Sequence, residues 1–219
     1  MPYTPHVWAP ADILTVARMN NLEIQFDQAV ADVMLDQKPP IAARWVIPGW
    51  FTWSLGTNRA VTANRIYYTP IRVAALETYD RIGINVGVGD GAGGLADLRI
   101  FEWTAGGVPG DLVLSCGTVS TNAAAAVEID ISATVVGTTG LSRGYYFLAI
   151  RCNNTPSIVD VRPAAGQMGI GMPVSGISTA NGGPAQLIIP YDDAAYADPA
   201  GAVDGILGYN YCFVWLRES

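Results

Sequence analysis

Hydrophobic and polar residues alternate with two different periods in two parts of this chain. Near the start, apolar residues recur at alternating three- and four-residue steps, the spacing of one face of an α-helix. This stripe consists of Met19, Leu22, Phe26, Ala29 and Val33. Asp12 and Thr15 are candidate N-caps, and Lys38-Pro39-Pro40 should end the helix because proline cannot continue it. The pattern therefore predicts one amphipathic helix before residue 38.

From residue 44 onward, the pattern becomes that of β-strands. Short runs rich in β-branched and aromatic residues follow one another, with glycine, proline and asparagine between them. The predicted strands are 44–55, 59–68, 71–76, 79–88, 95–103, 111–119, 126–132, 144–152, 157–162, 186–191 and 211–217. Without a second helical pattern, these segments predict a mainly β fold. We expect a jelly-roll-like β-sandwich preceded by an N-terminal arm and one α-helix.

The proline pair after Lys38 marks the predicted domain boundary. Residues 1–40 would form an arm and an attachment or oligomerisation helix, and residues 41–219 the β-sandwich body. Segments 163–185 and 192–208 are rich in glycine, alanine and proline and predict long loops, where binding functions often lie. The helix has two interpretations, namely packing on its own domain or docking to identical subunits or a larger assembly.

Composition and charge exclude several classes of protein. Half of the residues are hydrophobic and only 14% are charged, which argues against broad disorder. The net charge of −7 and the lack of a Lys/Arg cluster argue against nucleic acid as a partner. No apolar run reaches the length of a membrane span, and no signal-peptide pattern opens the chain. We therefore expect no membrane insertion, and folding in a cytoplasm.

The residue types that carry catalysis or bind metals are sparse. Cys116, Cys152 and Cys212 form no CxxC pair and lie in apolar contexts, so they predict buried thiols. His6 is the only histidine, which disfavours a catalytic triad. The glycine-rich stretch 87–94 lacks the ending of a phosphate loop and predicts a hairpin turn. We therefore expect no enzyme activity and no cofactor or metal.

Three groups of residues each have two possible interpretations. Asp90 and Asp97 flank the glycine-rich turn, where a calcium site is the alternative to a plain turn. The crowded tryptophans Trp45, Trp50 and Trp53 indicate core or subunit interface, with an aromatic platform as the alternative. Acidic and tyrosine residues in the C-terminal loops predict either solvated loops or a glycan-binding rim. The rim would consist of Tyr191, Asp192, Asp193, Tyr196 and Tyr209.

The order of several short motifs resembles that of tailed-bacteriophage virion proteins of the small fibre, spike or decoration type. Trp8, Ile13-Leu14-Thr15 and Met19-Asn20 resemble the N-terminal segment by which such proteins attach. The body resembles their β-sandwich, and the resemblance spans about residues 8–150. The matching stretches are Tyr67-Tyr68-Thr69-Pro70-Ile71, Thr78-Tyr79-Asp80-Arg81-Ile82-Gly83, Leu98-Arg99-Ile100-Phe101, Pro109-Gly110-Asp111-Leu112-Val113 and Gly144-Tyr145-Tyr146-Phe147-Leu148-Ala149.

The resemblance implies a virion structural protein assembled in the host bacterial cytoplasm. It implies a fibre or spike subunit, commonly a homotrimer, that contacts other virion proteins of the capsid, tail or collar. The body would then be free to bind host-surface polysaccharide. The alternatives are a capsid decoration protein that stabilises the shell, and a free carbohydrate-binding module or small glycan hydrolase. The predicted attachment and oligomer-interface residues are Trp8, Leu14, Met19, Leu22, Phe26 and Val33.

Overall fold

The computed structural model describes residues 43–47, 53–163, 189–192, 196, 200, 205–207 and 213–219. By its internal contacts the chain divides into two compact units, Met1–Ile41 and Ala42–Ser219. All of the described residues belong to the second unit. The predicted N-terminal arm, helix and attachment residues lie outside the described residues, so their roles stay predictions.

The described part of the second unit is almost entirely β-structure. Its strands are β1 (Trp45–Val46), β2 (Trp53–Ala60), β3 (Ile66–Val73), β4 (Tyr79–Val88), β5 (Leu95–Trp103), β6 (Pro109–Ser120), β7 (Ala125–Asp130), β8 (Gly144–Cys152), β9 (Ser157–Pro163), β10 (Ile189–Asp192), β11 (Gly205–Leu207) and β12 (Val214–Glu218). One short helix, α1 (Val135–Thr138), follows β7 and is capped by the Thr134 side chain. No helix in the described ranges has the length and apolar character needed to cross a bilayer.

The strands form two antiparallel sheets of six strands each. The first sheet has the order β1-β12-β4-β9-β2, and β7 pairs with β4 as well. The second sheet has the order β11-β10-β3-β8-β5-β6. Four pairings are nested in the sequence: β5 with β6, β4 with β7, β3 with β8, and β2 with β9. Successive nested pairs alternate between the two sheets.

The two sheets contribute to one hydrophobic core. In β4, the buried residues Ile82, Ile84 and Val86 alternate with residues on the other face, as the two-residue period of a strand requires. The core includes Ile71, Ile82, Ile84, Val86, Leu98, Ile100, Leu148, Ile150, Val214 and Leu216. Because these residues come from both sheets, the fold is mainly β with an arrangement consistent with a sandwich.

The second sheet is also buried on its opposite face. Ile66, Tyr68, Phe101, Phe147 and Ala149 form a separate cluster there. The indole of Trp103 stacks on Phe147, with ring centroids 4.7 Å apart, and Tyr196 packs against the same cluster. Both faces of this sheet therefore carry apolar side chains, and the simple alternation of a half-exposed strand is lost.

Several predicted strand boundaries differ from the structure. The predicted strand 44–55 comprises β1 and only the beginning of β2, and the predicted strand 59–68 is interrupted between β2 and β3. There, Asn64 adopts a left-handed conformation with φ of 63°, which asparagine tolerates better than most residues. The predicted loop 192–208 contains β11. The predicted strands 79–88, 95–103 and 144–152 coincide with β4, β5 and β8.

Candidate binding groove on the first sheet

The outward face of β4 carries small and polar residues next to two tryptophans. One row of directly paired residues runs across four strands. It consists of Trp45 of β1, Arg217 of β12, Arg81 of β4 and Asp130 of β7. In the neighbouring row, Trp215 of β12 lies opposite Gly83, and Gly83 lies opposite Glu128. Strand register therefore brings both tryptophans to the same stretch of β4.

A groove of about 230 Å³ opens at this stretch. Its lining includes the half-buried indoles of Trp45 and Trp215 together with Gly83, Asn85, Val127 and Glu128. Most of this surface is apolar, and Asn85 and Glu128 supply exposed polar groups beside it. Aromatic surface with a small number of polar groups is typical of small-molecule binding sites.

Gly83 allows the Trp45 indole to lie over the sheet. A Cβ atom at residue 83 would lie 3.0 Å from Cη2 of Trp45 and 2.7 Å from the carbonyl oxygen of Val127. Real Cβ atoms essentially never approach other atoms as closely as the second distance. Glycine is therefore required here by close approach, and its missing side chain leaves room for the groove.

Ion pairs border the groove on the β7 side. Arg81 lies 3.4 Å from Glu128 and 2.7 Å from Asp130, measured between side-chain nitrogen and oxygen. The hydroxyl and backbone N–H of Ser132 donate hydrogen bonds to Asp130, and together with Arg81 they lower the pKa of this carboxyl. Asp130 is therefore ionised at neutral pH.

A second charged pair lies beside Trp45. Nε and a terminal nitrogen of Arg217 donate hydrogen bonds of 2.8 and 2.7 Å to the two carboxylate oxygens of Asp80. This bidentate pairing lowers the pKa of Asp80, chiefly through the hydrogen bonds from Arg217. Arg81 and Arg217 lie opposite one another on neighbouring strands, and each has a carboxylate partner.

Within the predicted glycan-binding rim, the described side chain is that of Tyr196. Its hydroxyl donates a hydrogen bond of 3.0 Å to the carbonyl oxygen of Asp97, and the Arg99 guanidinium lies 4.1 Å from the ring centroid. The ring also stacks on Phe101. Burial raises the pKa of Tyr196 well above its ordinary value. These contacts give Tyr196 a packing role on the second sheet, on the face away from the shared core.

The rest of that rim stays a prediction. The side chains of Tyr191 and Asp192 belong to β10 but are not described, and Asp193 and Tyr209 lie outside the described residues.

The two carboxylates of the glycine-rich turn have separate partners. The Thr121 hydroxyl donates to the Asp90 carboxylate at 3.0 Å, and the Asp97 carboxylate lies 3.0 Å from the Arg99 guanidinium. Across the described ranges, no three His, Cys, Asp or Glu side chains are placed to hold a metal ion. The described geometry thus gives Asp90 a role in the turn.

The two described cysteines are free thiols in apolar surroundings. Cys152 is buried and Cys116 is half-buried, and burial raises the pKa of each thiol to about 12. Their geometry fits the predicted structural role. Cys212 lies outside the described residues.

The sequence analysis singled out Trp45 on one side of the groove but not the residues on the other sides. It gave Trp45 as core or subunit interface, with an aromatic platform as the alternative. The residue lies outside the core cluster and lines the groove, and its role in a subunit interface stays a prediction. Trp215 and Glu128 were missed, although each occupies an outward position in an alternating strand. Comparison of the chain with family models, curated proteins and solved structures gives no match.

Proposed function

We propose that this protein is a structural component of a bacteriophage particle, a fibre or spike subunit whose β body binds host-surface glycan. The order of sequence motifs that resembles such proteins supports the virion assignment. Each motif within the body coincides with or overlaps a strand, from β3 through β4, β5 and β6 to β8. The matching stretches thus fall on strands in chain order, with β7 and α1 between the last two.

We further propose that the body is a β-sandwich of jelly-roll type. The four nested pairs β2–β9, β3–β8, β4–β7 and β5–β6 support this topology because they alternate between two sheets. Strands β1, β10, β11 and β12 then extend the sheets. Among them, β1 and β12 supply the two tryptophans of the groove.

The groove between Trp45 and Trp215 is the observation that carries the binding function. Indole rings offer flat apolar surface on which the C–H faces of a pyranose ring can stack. Asn85 and Glu128 can exchange hydrogen bonds with the sugar hydroxyl groups beside that surface.

The proposal is for binding without bond cleavage. Glycoside hydrolysis generally needs one carboxyl group that holds a proton at working pH and a second that is ionised. Beside the groove, Asp130 has a lowered pKa, and Glu128 and Asp130 share the same arginine. The environment of Asp130 therefore does not favour a protonated acid.

A particle that carries many copies would gain from weak individual sites. Several grooves that bind one polysaccharide surface multiply their affinities through effective concentration. A homotrimer held by the predicted interface residues Leu14, Met19, Leu22, Phe26 and Val33 would supply such copies, with Trp8 in the attachment arm. In the proposed assembly the first unit binds other virion proteins and the second unit faces the host.

Binding can be tested by titrating the purified full chain with polysaccharide from the host surface and following tryptophan fluorescence. We expect W45A and W215A to lose at least tenfold in affinity, and Y145A, an exposed aromatic on the other sheet, to bind normally. Circular dichroism and thermal melts verify that each variant is folded. Normal binding by folded W45A would disprove the role of the groove.

The virion assignment needs a separate test. Immunogold labelling of intact phage particles should place the chain on the fibre or spike of the tail. Labelling spread evenly over the capsid would favour the decoration alternative, and a chain absent from purified particles would refute a virion role.

A further inference from the structure

We infer that the groove selects a single uncharged pyranose residue and disfavours acidic sugars. The inference rests on the proposed glycan-binding function and adds the chemical class of the ligand. Three properties of the groove support the inference: its size, the charge of its lining and the existing ion pairs of the neighbouring arginines.

The size of the groove fits one sugar ring. Pockets for drug-sized ligands have volumes of about 300–1,000 Å³, whereas this groove measures about 230 Å³. A longer oligosaccharide would have to extend beyond the lining. The groove would therefore recognise one terminal or branching residue of a glycan, while the rest of the chain stays in solvent.

The charge of the lining disfavours a carboxylate on the ligand. Among the described residues that line the groove, Glu128 is the single charged one. Its side chain is 49% exposed and reaches the surface that a ligand would contact. An acidic sugar would bring a second negative charge close to Glu128, whereas hydroxyl groups can donate hydrogen bonds to its carboxylate.

Arg81 and Arg217, which border the groove, already have carboxylate partners. Arg81 contacts both Glu128 and Asp130, and Arg217 binds Asp80 through two hydrogen bonds. These two cations and three anions leave a local excess of one negative charge, in the same direction as the net charge of −7 for the whole chain. A ligand carboxylate would have to displace one of these partners before it gained a cation.

The test compares matched sugars that differ only at C6. Methyl glucopyranoside and methyl galactopyranoside are titrated against the full chain, followed by the corresponding uronides, with binding measured by NMR. We expect at least one neutral glycoside to bind about tenfold more tightly than its uronide. E128Q should reduce that ratio to below about threefold, whereas E102Q, an exposed glutamate on the other sheet, should leave it unchanged.

The outcomes separate the inference from the proposed function. A uronide that binds as tightly as its neutral partner would overturn the inference and leave glycan binding intact. An unchanged ratio in folded E128Q would overturn the role of Glu128. If neither these sugars nor the host polysaccharide binds, both proposals fail together. Dissociation of an oligomer by W45A in light scattering would then identify the groove as a subunit interface.

Discussion

Trp45 of β1 packs directly over Gly83 of β4, and the indole and the Val127 carbonyl oxygen together exclude a side chain at residue 83. A Cβ atom there would lie 3.0 Å from Cη2 of the indole. Strand β1 has two residues and, among the described strands, pairs with β12, yet its tryptophan extends past β12 to the next strand. The groove thus depends on one missing methyl group.

The substitution G83A should therefore damage both stability and binding. The new methyl group would approach the Val127 carbonyl oxygen to 2.7 Å, and backbone cannot move aside as a flexible side chain can. We expect the free energy of unfolding to fall by about 1–3 kcal/mol in urea denaturation. The control is G106A, where the nearest atom to a Cβ lies at 3.7 Å. Equal effects at the two positions would contradict the close-approach argument.

Two buried threonines should respond to the same substitution with opposite signs. Thr69 is fully buried in β3, and its hydroxyl has no hydrogen-bond partner in the described structure. T69V should raise the free energy of unfolding by about 1 kcal/mol because the unpaired hydroxyl costs desolvation. Thr121 is equally buried but donates to the Asp90 carboxylate, so T121V should lower it by about 2 kcal/mol. Chemical denaturation measures the free energy of unfolding of both variants. A change of the same sign in T69V and T121V would contradict this prediction.

Asp80 should contribute to stability at neutral pH and not in strong acid. Because Arg217 lowers the folded-state pKa of Asp80 below its ordinary value of 3.8, the contribution is fully present above 3.8. It is lost as the pH falls through the folded-state pKa. We expect D80N to lower the Tm by roughly 1–3 °C at pH 7. In strong acid, the Tm of D80N should equal that of the unsubstituted chain. A difference that grows as the pH falls would contradict the pairing.

The thiols of Cys116 and Cys152 should be unreactive in the folded protein. A pKa of about 12 leaves about one thiolate in ten thousand at pH 8, and thiolate is the reactive form. In a C212S background, we expect a disulfide reagent to label neither cysteine quickly until denaturant is added. Rapid labelling of one thiol would show that its strand opens. C116S and C152S would then identify which strand it is.

The strand content was predictable because a local signal carries it. The alternation of Ile82, Ile84 and Val86 and the aromatic run of β8 specify extended chain with little reference to the rest of the molecule. Boundaries were less predictable where a turn residue acts locally, as Asn64 does between β2 and β3. The two-sided burial of the second sheet was also missed, because Tyr196 covers Phe101 from almost a hundred residues away.

The sequence alone determined a mainly β chain, a net charge of −7 and a single histidine, because each is a property of composition or of spacing between near neighbours. The tertiary structure alone decided that Trp45, Gly83, Glu128 and Trp215 belong to one groove. These residues come from four strands, and their register is set by pairing between segments as far apart as β1 and β12. Periodicity assigns a residue to a face of its own strand, but only strand order determines which other residues share that face.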